Sequence, residues 1–262
     1  MTIPLGSCPC ETLAGESYNG RVASDKTPYG LPIVESCVTC PFHTERVFCN
    51  LSKSALQGLD ALSSTASYPK GAVLFVQGQK PRGVFVLCHG RVKMTASSAE
   101  GKSIILRIAG PGELIGVPGT LSGKPYEVTA EAFEPIQANF IPREPFLQFL
   151  RDHGDAALSV AQILTEIYQA TYREVRYLGL SGSAEAKLAR FILDFTEKSQ
   201  STKGQTSTTL TLTHEEIAEM IGASRETVSR LFASFKRKKL IEIRGSTLIV
   251  GSKPSLEKLA DA

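Results

Sequence analysis

The spacing of apolar residues changes along this chain from a strand pattern to a helical one, and that change restricts it to a layered, two-part architecture. From Tyr68 to Ile141 the runs are short: Val73-Leu74-Phe75, Val84-Phe85-Val86-Leu87, Val92-Lys93-Met94, Ile104-Ile105-Leu106 and Gln137-Ala138-Asn139-Phe140. Lys70-Gly71, Gly78, His89-Gly90, Glu100-Gly101, Gly110-Pro111-Gly112 and Gly123-Lys124-Pro125 separate them. Short strands with turn signals about every eight to twelve residues predict an all-β barrel or jelly roll. From Asp155 to Leu178 the period is helical: Ala161, Leu164, Tyr168, Thr171, Val175 and Leu178 step by three and four alternately, as a coiled-coil seam does. This helix lies between two domains and its seam has no obvious partner in its own chain, so it predicts a homodimer.

The 262 residues suit two domains. Residues 1–50 read as an irregular arm ending in a cysteine cluster, 51–150 as the β-domain, 151–180 as the dimerisation helix and 181–262 as a second, helical domain. A short helix is expected from Lys53 to about Thr65, and Ser199 to Thr209 reads as polar and irregular. Ser181-Gly182-Ser183 marks a hinge and helix cap. No run of about 18 apolar residues suggests a membrane span. No basic segment followed by an apolar core opens the chain, so the cytoplasm is the expected location.

The strongest signal lies at 210–250. Thr213 and Glu216 have the spacing of a capping box, Gly222 that of a left-handed helix end, and Ser224 that of a second cap. Together they predict a helix, a tight turn and a second helix from Arg225 to about Lys239. Val228, Leu231, Phe232 and Phe235 form the second helix's apolar face, while Arg225, Glu226, Ser229 and Arg230 crowd its first turns. His214 reads as a polar residue at a helix start. In a helix-turn-helix those first turns enter the major groove, where arginine can grip guanine and glutamate can accept from cytosine. Thr213, Ser224 and the basic run Lys236 to Lys239, Lys236 and Lys238 in particular, are the other candidate DNA contacts. With a net charge of only +3, any nucleic-acid contact must be a local patch. Leu240 to Val250 reads as a β-hairpin wing.

Ser224-Arg225-Glu226-Thr227-Val228-Ser229-Arg230 resembles the recognition-helix motif of the Crp/Fnr regulators, and the resemblance extends over nearly the whole chain from about Cys37. It implies an α+β chain: a cyclic-nucleotide-binding-like β-roll, a long central dimerisation helix and a C-terminal winged helix-turn-helix. It also implies a transcription regulator rather than an enzyme, a homodimer on palindromic double-stranded DNA, and RNA polymerase as a further partner. Arg225, Glu226 and Arg230 match the base-reading positions of the cyclic AMP receptor type, and Glu226, Ser229 and Arg230 those of the Fnr type.

The signal has two candidate entry points. Cyclic-nucleotide readers of this family use a Gly-Glu and an Arg-Ser. Gly112-Glu113 is present, but Tyr126-Glu127 stands at the Arg-Ser position, and a carboxylate there repels a phosphate. Cyclic AMP is therefore disfavoured. The other candidate is Cys37-x2-Cys40-x8-Cys49, whose thiols could bind an iron–sulfur cluster or zinc, act as a redox pair, or hold no cofactor. The resemblance implies a redox or oxygen signal through a [4Fe-4S] cluster. The chain departs from that pattern in its wide last gap and in Asn139, which stands where the fourth cysteine is usual. Cys8, Cys10, Cys88 or His43 would have to replace it. Two readings from other classes rank lower: a cyclic-nucleotide-gated enzyme or channel subunit, and a redox enzyme on Cys37 and Cys40, which lack a thioredoxin-like surrounding.

Overall fold

The computed structural model describes residues 26–34, 36–40, 48–180, 183–197, 201–202 and 205–260. Residues 1–25 of the arm, with Cys8 and Cys10, and His43 lie outside these, as do Ser181 and Gly182.

Helix α1 (Lys53–Leu62) starts at Ser52, whose side chain accepts from the Ala55 N–H, and buries Ala55, Leu56 and Leu59. It stops short of the expected Thr65 because strand β1 (Ser64–Tyr68) pairs in antiparallel register with β8 (Ile136–Pro142). Ser-Thr-Ala-Ser-Tyr has no apolar alternation, so only the partner strand reveals it. The β-domain closes as two antiparallel four-stranded sheets. One runs β1-β8-β3-β6, with β3 (Gly83–His89) and β6 (Leu114–Ile115). The other runs β2-β7-β4-β5, with β2 (Val73–Phe75), β4 (Val92–Ser97), β5 (Ser103–Ala109) and β7 (Thr129–Ala132). Leu87, Val92, Ile115, Ala130 and Ile136 meet in the core between them.

Short helix α2 (Val117–Ser122) and helix α3 (Arg143–Asp152) lead to α4 (Gly154–Leu180). A second core joins Cys37, Cys49, Leu56, Leu59 and Val86 to Phe146 and Phe149 of α3 and to Ala156 and Val160 of α4. The Ser52 N–H also donates to Asp155 Oδ2 at 2.8 Å, which ties the start of α1 to the start of α4 and lowers the Asp155 pKa.

Beyond this base α4 leaves an apolar stripe in solvent: Leu158, Tyr168 and Tyr172 are 62%, 66% and 65% exposed, and Ala161 and Thr165 lie between them. The stripe keeps the three-and-four step of the expected seam but is rotated from it. Leu164 turns partly inward against the second core, and Thr165 takes its place in solvent. The side chains of Val175 and Leu178 lie outside the described residues.

The C-terminal domain comprises α5 (Ala184–Glu197), β9 (Ser201–Thr202), β10 (Gln205–Thr209), α6 (His214–Ile221), α7 (Arg225–Arg237), β11 (Ile241–Arg244), β12 (Thr247–Val250) and α8 (Lys253–Ala260). Ser183 caps α5 by accepting from Ala186 N–H at 3.0 Å. The stretch expected to be irregular therefore carries two strands. Their Ser/Thr-rich sequence has no apolar signal, but β10 pairs with the apolar β12 in the sheet β11-β12-β10-β9. Leu188, Ile192, Ile217, Val228, Phe232, Phe235, Leu248 and Leu256 form the domain's core.

Candidate nucleic-acid interface

Two caps aim the helices of this domain. Thr213 accepts from the Glu216 N–H at 3.2 Å, and Glu216 Oε2 accepts from the Thr213 N–H at 2.8 Å, which completes the capping box of α6. Gly222, at φ 65°, ends α6 in the left-handed region that only glycine enters freely. Ser224 then caps α7 by accepting from the Thr227 N–H at 3.2 Å. Val228, Phe232 and Phe235 are buried, which leaves Arg225, Glu226 and Arg230 exposed on one side of the first two turns. Thr213 is exposed too, close to the same end of the unit.

Ser229 differs from its neighbours. It is half-buried, and its Oγ lies 2.8 Å from His214 Nδ1. The His214 ring stacks on Phe232, with centroids 4.9 Å apart and an interplanar angle of 14°. Burial, and then the charges of Lys236 and Arg225, hold the His214 pKa below its ordinary value. In the sequence His214 reads only as a polar helix start, because the contact spans two helices.

The basic run is split by the end of α7. Lys236 and Arg237 lie on the helix, Lys238 is its cap residue, and Lys239 sits at φ 57°. Lys239 N–H bonds to Lys236 O at 3.0 Å and Leu240 N–H to Phe235 O at 2.9 Å, the paired bonds of a Schellman turn. Lys236 projects into solvent. Lys238 Nζ instead bonds Glu185 of α5 at 2.8 Å.

In the β-domain, the Glu113 carboxylate bonds Arg107 and accepts from the Gly110 N–H at 3.0 Å. Tyr126 is buried, stacks on Phe75 at 4.0 Å and donates to Gly83 O at 2.7 Å. Glu127 is exposed. The place expected of an arginine fork is thus taken by an aromatic side chain whose one polar atom is already satisfied.

Cys37, Cys40, Cys49 and Cys88 are buried. The Cys37 N–H donates to Asp60 Oδ1 at 2.7 Å, and Asn139 Nδ2 donates to Cys37 Sγ at 3.4 Å. Thr65 in turn donates to Asn139 Oδ1 at 2.8 Å. Burial first, then the Asp60 carboxylate, then Cys88 and Cys49, push the Cys37 thiol far above its usual range. Asn139, at the position expected of a fourth cysteine, therefore does face Cys37, as a hydrogen-bond donor. Among the described residues no three Cys, His, Asp or Glu side chains form a metal-holding group, and no helix is long and apolar enough to cross a membrane.

Residues 65–153 match the model of the cyclic nucleotide-binding domain and residues 186–259 that of the Crp-like helix-turn-helix domain. The CRP-like cAMP-activated global transcriptional regulator of Mycobacterium tuberculosis is 22% identical over 215 residues, covering 82% of this chain and 96% of its own. A transcriptional regulator of the CRP/FNR family from Thermus thermophilus is 25% identical with a TM-score of 0.58, over 76% of this chain and 99% of that one. The c-di-GMP-responsive global regulator of Xanthomonas campestris shares the fold at a TM-score of 0.68 and 20% identity, over 77% of this chain and all of that one.

Proposed function

For this chain, which belongs to the Crp/Fnr family of DNA-binding transcriptional regulators, we propose that a cytoplasmic homodimer reads a palindromic site with α7 and answers a redox or oxygen signal at its cysteine loop. The observation that carries the DNA reading is the exposed cluster Arg225, Glu226 and Arg230 on the first turns of a doubly capped helix. Two guanidinium groups and a carboxylate there supply bidentate donors for guanine and an acceptor for cytosine N4. Ser229 stands at their edge, and Thr213, Ser224 and Lys236 face the phosphates. Lys238 reaches the backbone on leaving Glu185. RNA polymerase is the further partner that the family implies. Binding-site selection from random duplexes tests the reading, with a two-fold-symmetric motif expected whose half-sites are centred about one helical turn apart.

The signal reading rests on the shared core. Cys37 and Cys49 pack in the same apolar cluster as Ala156 and Val160 at the base of α4, so a change of volume or charge at the thiols presses on the dimerisation helix. Thiols are soft donors of the kind that iron–sulfur clusters and zinc take. The described donors do not assemble as a metal site, however, and burial beside Asp60 favours a protonated Cys37. An iron–sulfur cluster held by Cys37, Cys40 and Cys49, or oxidation of a thiol other than the protonated Cys37, would each alter that core. An absorbance spectrum with iron and sulfide assays on anaerobically purified protein, followed by DNA binding before and after oxidation, tests it. DNA affinity that ignores oxidant would overturn it.

A second reading, activation by a cyclic nucleotide, is favoured by the domain match and by the cAMP-activated relatives. Tyr126 opposes it, standing where the sequence motif calls for an arginine, with its hydroxyl already committed to Gly83 O. Calorimetric titration with cyclic AMP separates the two.

A further inference from the structure

The hydrogen bond between His214 and Ser229 links the two helices of the DNA-reading unit and ends at its reading face. Ser229 lies between buried Val228 and exposed Arg230, so its hydroxyl stands at the border of that face. Its Oγ is 2.8 Å from His214 Nδ1, and the ring is fixed in plane by its stack on Phe232, itself only 2% exposed. We propose that His214 is a positioning residue for base readout, setting whether Ser229 offers the DNA a lone pair or a proton. The proposal rests on α7 being the reading helix.

Hydrogen-bond inventory decides which of the two is offered. A serine hydroxyl has one proton and two lone pairs, and a neutral imidazole has one acceptor and one donor nitrogen. With the neutral ring taken as the Nε2–H tautomer, Nδ1 accepts, the Ser229 proton is committed to the ring, and only lone pairs face the groove. Those suit the amino group of cytosine or adenine. A charged imidazolium has no acceptor, so Nδ1 must donate to Oγ. The hydroxyl proton is then released toward the DNA, where it suits guanine O6 or N7, or thymine O4. The charged groups facing the ring are Lys236 and Arg225, both on α7, and both oppose its protonation, as burial does. The neutral ring therefore holds at neutral pH, and the reversal comes only below the ordinary histidine range.

The test is binding-site selection with the full-length protein at about pH 8 and about pH 5.5, comparing the native chain with His214→Gln, Ser229→Ala and Arg230→Ala. The native protein should keep most of its motif at both pH values. At one base position per half-site it should move from an amino-bearing to a carbonyl-bearing base, by about tenfold in relative enrichment. His214→Gln, which cannot titrate, should give the same preference at both pH values. Ser229→Ala should lose discrimination at that one position at either pH, with unfolding curves checking that each variant is folded. A pH-independent native motif, or a Ser229→Ala motif unchanged at every position, would overturn the proposal. Failure to select any motif, or a motif indifferent to Arg230→Ala, would instead overturn the assignment of α7 as the reader.

Discussion

Arg91 of the β-domain bonds Thr211 of the C-terminal domain, Nη1 to Oγ1, at 3.1 Å, while its Nε and Nη2 grip the Glu134 carboxylate at 2.9 and 2.8 Å. Arg91 and Lys70 also lie over the Phe133 ring, at 5.0 and 5.9 Å from its centroid. Phe133 belongs to the apolar core of the C-terminal domain. One guanidinium thus holds a strand turn, an aromatic ring and the segment before α6 together across the domain boundary.

Arg91→Ala should lower stability at neutral pH by about 1 kcal/mol, a modest figure because the pair is about a third exposed and screened by solvent. Arg91 holds the Glu134 carboxyl below the usual carboxylate range. A depressed folded pKa contributes stability above the unfolded pKa and loses it as pH falls through the folded value. Urea unfolding should therefore show the gap between native and variant closing in acid, below the unfolded carboxylate range. A gap that persists there would mean the ion pair is not its source.

The Cys37 thiol should be inert in the folded, reduced protein. Burial is the first cause of its raised pKa and Asp60 the second, so little thiolate exists at neutral pH. Iodoacetamide followed by mass spectrometry should label Cys37 only after unfolding. Asp60→Asn should speed the folded-state reaction but leave it well short of the unfolded rate, since it removes only the lesser cause. Rapid labelling of the native chain would contradict the described packing.

Apolar periodicity is visible in a sequence, and partnership is not. The runs around Val84 and Val92 and the helices at 155–178 and 225–237 were legible because their apolar residues recur at the period of the element, whether the chain buries them or, on α4, leaves part of the stripe in solvent. The caps at Thr213 and Ser224 were legible because they are local chemistry at fixed spacing. Strands β1, β9 and β10 were not, since these Ser-Thr-rich segments become strands only against their partners: β1 against β8, β10 against β12, and β9 against β10. The same holds for the site. The exposed arginines follow from helical geometry, whereas His214–Ser229, Lys238–Glu185 and Asn139–Cys37 join residues far apart in the chain.

Tyr168→Glu combined with Leu158→Glu should convert the proposed dimer to monomers. Both side chains lie in solvent on the stripe of α4, so the charges cost the isolated chain little but would be buried in a dimer. Light scattering reads the mass and titration with a palindromic duplex the affinity. A variant that remains a dimer would place the interface elsewhere.

Lys239→Gly should stabilise the fold by about 1 kcal/mol, because the left-handed region costs a residue with a Cβ roughly that much. The Schellman bonds from Lys239 and Leu240 need that conformation whatever the side chain. Thermal unfolding should show the gain, and a loss would mean that the lysine stem packs usefully against the turn.

Substitutions along α7 should differ in kind. Arg230 is exposed on the reading face, where its Nη2 lies 3.4 Å from Thr227 Oγ1. Removing it should cost about 1–3 kcal/mol on the cognate site and relax one base position per half-site. Lys238 starts from an ion pair with Glu185 at 2.8 Å, so any phosphate it meets must compete with that carboxylate. Lys238→Ala should then weaken all sequences alike and reduce the salt dependence by less than the roughly one unit of slope that a free lysine contributes. Glu185→Gln should act in the opposite sense. With its partner neutralised, Lys238 is free for the backbone, and affinity should rise for cognate and random DNA together, most at low salt. The double variant Glu185→Gln, Lys238→Ala isolates the effect, because without the lysine the glutamine should bring no gain. Titrations over a range of salt concentrations measure all four proteins, and a Glu185→Gln gain that survives loss of Lys238 would show that Glu185 repels the DNA directly.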